Sequence, residues 1–397
     1  MMKFIKHKIK SSFINKVCRF VRLGCRASLA MTAVLLGVSF IFSLTACDGK
    51  KDDVVNGKPV VKIGMGLPLT GDYDHIGKSV KNAVTMAFEK WEDKDTKYKY
   101  ELIFEDDGLL SRGAVNVSNK FLNLDNVNAL LVFWGQTGKI YTSHADERQK
   151  VMLACAALND MADPKFVLNN YTQYEEMTDV LINKLKKEGV KTVVYTADTH
   201  AVGVAQSIFF KEALEKAGIK VLAIERYHKG TVDFRLSIAK LEKLQPDYYI
   251  TAIEQPGTVN FIKQHREITK KNNLAGIDVF PFMPKEYWAL ANDLWYIQAA
   301  GGTQDFRNRY EDKYKGTLEN CAANSYDNLD LLIYAYENTS LREGFLIPNN
   351  EDVVKTLQNI KEWNGAMGQV TIDSEGVIRS KPDLYIMKNA EPFLLEK

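Results

Sequence analysis

From Pro59 onward, short β-branched or aromatic runs alternate with segments of helical period, and that alternation restricts the chain to parallel sheets covered by helices. Val60 to Leu69 reads as a strand and Thr70-Gly71-Asp72 as a turn. Val80, Ala83, Val84, Ala87, Phe88 and Trp91 then fall at i, i+3, i+4, i+7, i+8 and i+11, one face of a helix. The pattern recurs through Tyr100 to Phe104, a helical set from Ala114 to Leu124, Ala129 to Trp134, a helix near 138–149, and Val151 to Ala154. A second series starts after Asn169-Asn170. It runs through a helix stopped by Gly189, the strand Thr192 to Thr196, a helix over 201–217 stopped by Gly218, the strand Lys220 to Ile224, a helix ending before Pro246, and the strand Tyr248 to Ile253. Two similar series in one chain of 397 residues predict two similar lobes. Phe280-Pro281-Phe282-Met283-Pro284 breaks the alternation. Helices are predicted at Tyr287 to Leu294, Phe306 to Tyr314 and Ala322 to Glu337, before a hairpin-like end with a closing strand from Asp383.

Residues 1–46 hold eight Lys/Arg and no acid, so the formal charge of +2 becomes 44 basic against 50 acidic residues beyond them, a net −6. A mildly acidic body lacks the clustered cations that phosphates reward, which argues against a nucleic-acid partner. Behind the basic stretch an apolar run from Ala27 ends in Leu44-Thr45-Ala46-Cys47. Basic, apolar and small residues in that order make a secretory signal. The last four residues resemble the lipobox of bacterial lipoproteins, which implies a signal peptide over 1–46, cleavage before Cys47 and acylation of Cys47. A permanent transmembrane anchor is the competing reading, since about twenty apolar residues just span a bilayer. The basic stretch is long for a signal, and a start codon downstream of Met1 fits the Cys47 reading equally well. Polar residues 47–58 read as a flexible tether, with an extended reach of roughly 40 Å. Two or more acyl chains anchor stably, so the body is expected at the cell envelope, on a membrane surface facing the periplasm or the exterior.

Cys18 and Cys25 belong to the segment expected to be removed, leaving Cys155 and Cys321 in the body, 166 positions apart. Two such cysteines make no disulfide framework. Cys155, inside the apolar run Val151 to Ala157, reads as a small hydrophobe, and the redox state of the pair stays open.

Gly71 to Ser79 mimics a phosphate loop but places five residues between its glycines where four are required, and Asp72 and Asp74 would oppose phosphate charge. Asp72, Asp74 and His75, and the run Glu105-Asp106-Asp107, lack metal-ligand spacing; carboxylates at a strand's end more often cap the next helix. No metal or cofactor is expected. No nucleophile motif occurs and the six histidines are scattered, which argues against an enzyme.

The body resembles the type I periplasmic binding proteins, in the leucine/isoleucine/valine-binding branch that serves ABC transporters. The likeness is carried by Ile63-Gly-Met-Gly-Leu-Pro-Leu-Thr-Gly-Asp72, Glu105-Asp-Asp-Gly108, Gly203-Val-Ala205 with the Gly218 stop, and Asp233-Phe-Arg235. Ala322-Ala-Asn-Ser-Tyr-Asp-Asn328 and Gly365-Ala-Met-Gly-Gln-Val-Thr-Ile-Asp-Ser-Glu-Gly376 complete it. The resemblance implies an α/β fold of two doubly wound parallel-sheet lobes joined by a three-crossing hinge. Lobe one would comprise 59–170 plus 284–368 and lobe two 171–283 plus 369–397, with crossings near Asn169-Asn170, Phe282-Met283 and Ala366-Met367. It further implies a monomer that closes on a small solute and presents it to an ABC permease in the inner membrane. The competing partner is a membrane signalling receptor, with the same clamp acting as a sensor.

In a doubly wound lobe the ligand lies beyond the strands' C-terminal ends. The candidate contacts are therefore Tyr73, Ile76, Trp134, Gln136, Thr137, Ala157 and Asn159 from lobe one, and His200, Glu254 and Gln255 from lobe two. Trp134 reads equally as a cleft wall or as packing between strand and helix. Where the family places a carboxylate-holding hydroxyl, this chain has Gln136 with Thr137 adjacent; His200 stands for an aromatic residue. Gly257 stands for the acid that accepts a ligand ammonium, and Glu254 lies three positions earlier. An amino acid or a related small carboxylate is the expected ligand.

Overall fold

The structure is a computed structural model that describes residues 53–158 and 160–396. The expected signal segment and Cys47 lie outside the described residues, and among those described no helix is long and apolar enough to cross a membrane. Val54–Val55 (β1) fold back antiparallel onto Lys58–Leu67 (β2) through Asn56 and Gly57, whose φ values of 53° and 80° are those of a type I′ hairpin turn. The expected tether is thus structured at its far end, and Asn-Gly is the sequence signal for it.

Lobe one continues with Asp74–Glu92 (α1), Lys99–Asp106 (β3), Ser111–Lys120 (α2), Ala129–Phe133 (β4), Gly135–Glu147 (α3), Val151–Cys155 (β5) and Val167–Asn169 (β6). Its strands run parallel in the order β3-β2-β4-β5-β6. Every residue of β4 and β5 is buried, as a sheet covered on both faces requires. On α1, Val80, Ala83, Val84 and Ala87 are buried, while Phe88 and Trp91 pack partly exposed at the core's edge.

Lobe two comprises Tyr174–Lys187 (α4), Thr192–Asp198 (β7), Ala201–Lys216 (α5), Lys220–Tyr227 (β8), Arg235–Glu242 (α6), Tyr248–Ala252 (β9), Gly257–Thr269 (α7), Leu274–Ile277 (β10) and Trp295–Gln298 (β11). The chain returns through Gln304–Tyr314 (α8), Ala322–Asn338 (α9) and Asn350–Asn359 (α10) to a small antiparallel sheet of Glu362–Gly365 (β12), Gly368–Ile372 (β13) and Ile378–Arg379 (β14). Asp383–Lys388 (β15) and Glu391–Glu396 (β16) then complete the second sheet, ordered β16-β15-β11-β10-β9-β7-β8, with β15 and β16 antiparallel. Alternation decides the packing here: Val193, Tyr195 and Ala197 face Phe210 and Leu214, whereas Val194 joins Ile238, Leu241 and Phe261 on the other side.

The segment 285–291 forms 3-10 turns, not the predicted helix through Leu294, and Trp295–Gln298 is a buried strand paired in parallel with β10. Four residues between loops are too few to display a period, which is why this strand escapes a sequence reading. The second passage between sheets therefore follows Gln298, and the third follows Arg379, instead of falling at 282–283 and 366–367. The three passages are laced together. The Ala300 N–H donates to Thr172 Oγ1 at 3.0 Å, and Thr172 shares a 2.9 Å hydroxyl contact with Ser380.

The Tyr-Asp pair on α9 has a structural use. Both oxygens of the buried Asp327 accept backbone N–H groups, from Ala366 at 2.6 Å and Met367 at 2.8 Å, and so hold the β12–β13 turn. Asp330, one turn on, accepts Lys90 Nζ at 2.6 Å and Trp91 Nε1 at 2.7 Å, tying α9 to α1. The phosphate-loop mimic is also explained. A Cβ on Gly77 would lie 2.0 Å from the Pro68 carbonyl oxygen, so glycine permits the close approach of helix to strand.

His265 on α7 is fully buried against Tyr249, with ring centroids 4.5 Å apart and neither nitrogen hydrogen-bonded. Burial pushes its pKa down to about 4. The native state therefore favours the neutral ring. Its contribution is full above the ordinary value near 6.5 and is lost as pH falls toward 4, by about 3 kcal/mol. Urea unfolding of the wild type should weaken by that amount relative to His265→Phe between pH 7 and 4; equal slopes for the two proteins would refute the assignment.

Candidate functional site

The strand orders fix where a site can form. In lobe one the order reverses between β2 and β4, and in lobe two between β7 and β9. Crevices of doubly wound sheets open at such switch points, beyond the strands' C-terminal ends. Here the two openings face each other across a cleft of about 900 Å³.

Lobe one contributes Tyr73, at the N-cap of α1, and Trp134, at the N-cap of α3. Their rings lie 6.2 Å apart, and Trp134 also packs on Phe133 at 5.4 Å. Trp134 adopts φ 67° and ψ 153°, a region otherwise reserved for glycine that costs on the order of 1–3 kcal/mol and is retained mainly at functional sites. Ile76 and Ala157 line the same cleft. The Ala157 carbonyl is fixed by the Tyr174 hydroxyl at 2.8 Å. Thr137 differs from expectation: it is fully buried, and its hydroxyl donates to the Phe133 carbonyl one turn back, so it is not offered to a ligand. Gln136 is the second residue of α3, with a side chain outside the described set, and Asn159 lies outside the described residues.

Lobe two contributes His200, Glu254 and Gln255, all lining the cleft. His200 Nδ1 accepts the Gly203 N–H at 3.2 Å and so caps α5. Its Nε2 lies 3.1 Å from Glu254 Oε1 and 3.8 Å from Asp198 Oδ2, at ion-pair range but without the alignment of a hydrogen bond. The neighbouring Glu254 carboxylate raises the His200 pKa against the effect of burial. Burial pushes Glu254 up, but His200 and Lys229 outweigh it and hold the carboxyl below its ordinary range. Asp198, buried at the end of β7, accepts the Glu254 backbone N–H at 2.7 Å and is pushed up by burial.

Asp198, His200 and Glu254 place three donor atoms within 4.8 Å of one another, a cation-sized arrangement. The cap argues against that use. With Nδ1 accepting a proton, a neutral ring carries its own proton on Nε2 and has no lone pair there for a metal.

Several lining residues have no signature in the sequence. Tyr171 donates to Asp278 Oδ2 at 2.5 Å, next to the first passage between lobes, and burial pushes the Asp278 carboxyl up. The Phe280 to Pro284 turn, Arg307, Glu319, and the stacked pair Tyr296–Tyr385 complete the wall. At the floor, Cys155 and Cys321 form a disulfide with Cα atoms 5.9 Å apart, which corrects the reading of Cys155 as a lone hydrophobe. Sequence separation hid the pairing, because β5 meets the start of α9 only through the fold. Lys229, at the turn after β8 on lobe two, donates to the hydroxyl of Tyr73 on lobe one at 2.9 Å.

Residues 60–388 match the protein family described as "Periplasmic binding protein". The Leu/Ile/Val-binding protein homolog 2 of Brucella abortus (strain 2308) is 23% identical over 192 residues, which is 46% of this chain and 51% of the relative. The chain thus spans about half the length of the curated relatives it matches. The leucine binding protein LivK from Thermotoga maritima superposes with a TM-score of 0.69 at 20% identity, over 85% of this chain and 98% of that one. The solute binding protein of an ABC transporter from Rhodopseudomonas palustris BisB5, in complex with 3,4-dihydroxy benzoic acid, has a TM-score of 0.69 at 18% identity, over 85% and 96%. An ABC transporter substrate-binding protein from Desulfitobacterium hafniense, in complex with Leu, has a TM-score of 0.69 at 18% identity, over 85% and 100%. At such identities these structures share the fold.

The contact between Lys229 and Tyr73 is exposed and modest in strength. Tyr73→Phe should enlarge the radius of gyration of the ligand-free protein in X-ray scattering and weaken ligand binding by roughly 2- to 5-fold. Superimposable scattering curves would show that the hydroxyl does not hold the lobes together.

Proposed function

The chain belongs to the periplasmic binding protein family, and from that premise we propose that it is the solute-binding lipoprotein of an ABC importer, taking an amino acid or a related small carboxylate into the interlobe cleft. The observation that carries this reading is the opposition of two switch points. Tyr73 and Trp134 stand on one side, and His200, Glu254 and Gln255 on the other. A solute between them touches both lobes, so it binds the closed state preferentially and shifts the population by its differential affinity. Both amide atoms of Gln255 are shut from solvent without a hydrogen-bond partner. A bound solute that reaches them would relieve a cost of about 1–3 kcal/mol.

The ligand class is drawn from the complexes of similar proteins, one with leucine and one with an aromatic acid. Aromatic faces at Tyr73 and Trp134 suit the apolar part of either. Position 257 offers no acid for an ammonium, and a Cβ there would lie 2.6 Å from Ile253 Cγ2. The partner under this reading is a membrane permease with its ATPase. The Cys155–Cys321 disulfide supports an oxidising compartment outside the cytoplasm. The lipid anchor rests on the Leu44-Thr45-Ala46-Cys47 sequence.

Titration calorimetry of the folded protein against the standard amino acids, benzoates and small organic acids tests the reading. Binding of at least one is expected, and silence across the panel would sink uptake of these compounds. With that ligand, Trp134→Ala should cost about 2 kcal/mol, roughly thirtyfold in affinity; unchanged affinity would return Trp134 to a packing role. In cells, Cys47→Ala should move the protein from the membrane to the soluble fraction, and continued membrane retention would exclude Cys47 as the anchor.

A further inference from the structure

We propose that Glu319 and Arg307, on the segment that re-enters lobe one, form the charged pair that reads a zwitterionic ligand: Glu319 receives the ammonium and Arg307 the carboxylate. The inference rests on the cleft being the ligand site, and it names the residues that set the ligand class.

Both side chains line the cleft and both are partly buried. Glu319 makes no side-chain hydrogen bond or ion pair among the described residues. Arg307 has no carboxylate partner there; it makes only long contacts, from Nη1 to the Leu318 carbonyl at 3.5 Å and from Nη2 to the Gly301 carbonyl at 3.4 Å. The guanidinium thus reaches the residue next to Glu319 without closing an ion pair with it. Two opposite charges that are adjacent, half-buried and unpaired leave room for a molecule bearing both complementary charges.

Their support is rigid. Ser79 Oγ, on α1, accepts the Glu319 backbone N–H at 3.0 Å and donates to the Thr317 carbonyl at 3.3 Å, while Cys321 is bonded to Cys155. Glu319 is therefore held on a loop pinned at both ends, as an electrostatic partner must be to select a ligand without reorganising. Burial pushes its carboxyl up, with His75, Arg307 and Lys285 opposing, so a cation brought to it restores a favourable pairing. The positions that would otherwise serve are closed. The Thr137 hydroxyl is bonded to the Phe133 carbonyl, Gly257 carries no acid, and Glu254 lies between His200 and Lys229.

The test uses the full folded protein and calorimetry with each free amino acid that binds, its N-acetyl derivative and its C-terminal amide. In the wild type, each blocked derivative should bind about a hundredfold more weakly than the free amino acid. Glu319→Gln should lose about a hundredfold for the free amino acid and abolish the discrimination against N-acetylation, leaving the penalty for amidation in place. Arg307→Met should do the converse, and Arg307→Lys should recover part of the loss. Melting temperatures of the variants, measured alongside, separate misfolding from lost recognition, because a merely structural role would weaken all three ligands alike. Wild-type binding of a free amino acid that is unaffected by either variant, or a discrimination that survives them, would overturn the pair while leaving the cleft as the site. Absence of any amino-acid binding by the wild type would overturn the pair, and binding of a carboxylate without an ammonium in the same panel would then retain the broader reading.

Discussion

A single hydroxyl joins the three strands of chain that pass between the lobes. Thr172 lies on the first passage, accepts the backbone N–H of Ala300 on the second, and meets Ser380 on the third. Each passage alone would be a loop with ordinary freedom. Bound together at one point, they form a compact pivot of the kind about which hinged lobes turn. Tyr171, beside Thr172, adds a bond to Asp278, whose other oxygen accepts the Ala299 N–H at 3.1 Å. Tyr171 and Asp278 line the cleft while lying beside the pivot, so the wall of the cleft and the pivot are neighbours in the chain and in space.

The layered α/β organisation was legible because it depends on repetition. Each βα unit displays a buried run and a helical stripe, and the switch-point rule converts their order into a site. Tyr73, Ile76, Trp134, Ala157, His200, Glu254 and Gln255 all line the cleft because each follows a strand whose end could be read from the chain. Thr137 failed because a hydroxyl in the first turn of a helix can bond backward to a carbonyl, and sequence does not say which way it turns. Arg307, Glu319, Asp278 and the Phe280 to Pro284 turn escaped for a different reason. Glu319, Asp278 and the turn sit on passages and irregular loops, where no periodicity marks an inward-facing side chain, and Arg307 sits on the polar helix α8, whose period does not say that a charged side chain turns to the cleft. The disulfide escaped because closeness of Cys155 and Cys321 is a property of the assembled lobe.

The electrostatics of the cleft divide by lobe. On lobe two, Asp198, His200, Lys229 and Glu254 neutralise one another within a small volume, so that wall presents polarity with little net field. On lobe one, the aromatic pair shares the cleft with Arg307 of α8 and Glu319 of the following loop, which make no direct ion pair with each other. An asymmetric cleft of this kind orients its guest, with the field acting from one wall and shape and dipoles acting from the other.

The crosslink beneath the cleft carries a consequence for how the protein matures. The loop bearing residues 317–321 is tied down by the serine of α1, by Arg307 on the Leu318 carbonyl and by the bond from Cys321 to the end of β5. Cys155 and Cys321 are themselves buried in the core of lobe one, so the crosslink lies inside its packing. A chain whose thiols stay reduced would hold this loop by the Ser79 and Arg307 hydrogen bonds, and oxidation adds the covalent tie beneath the cleft.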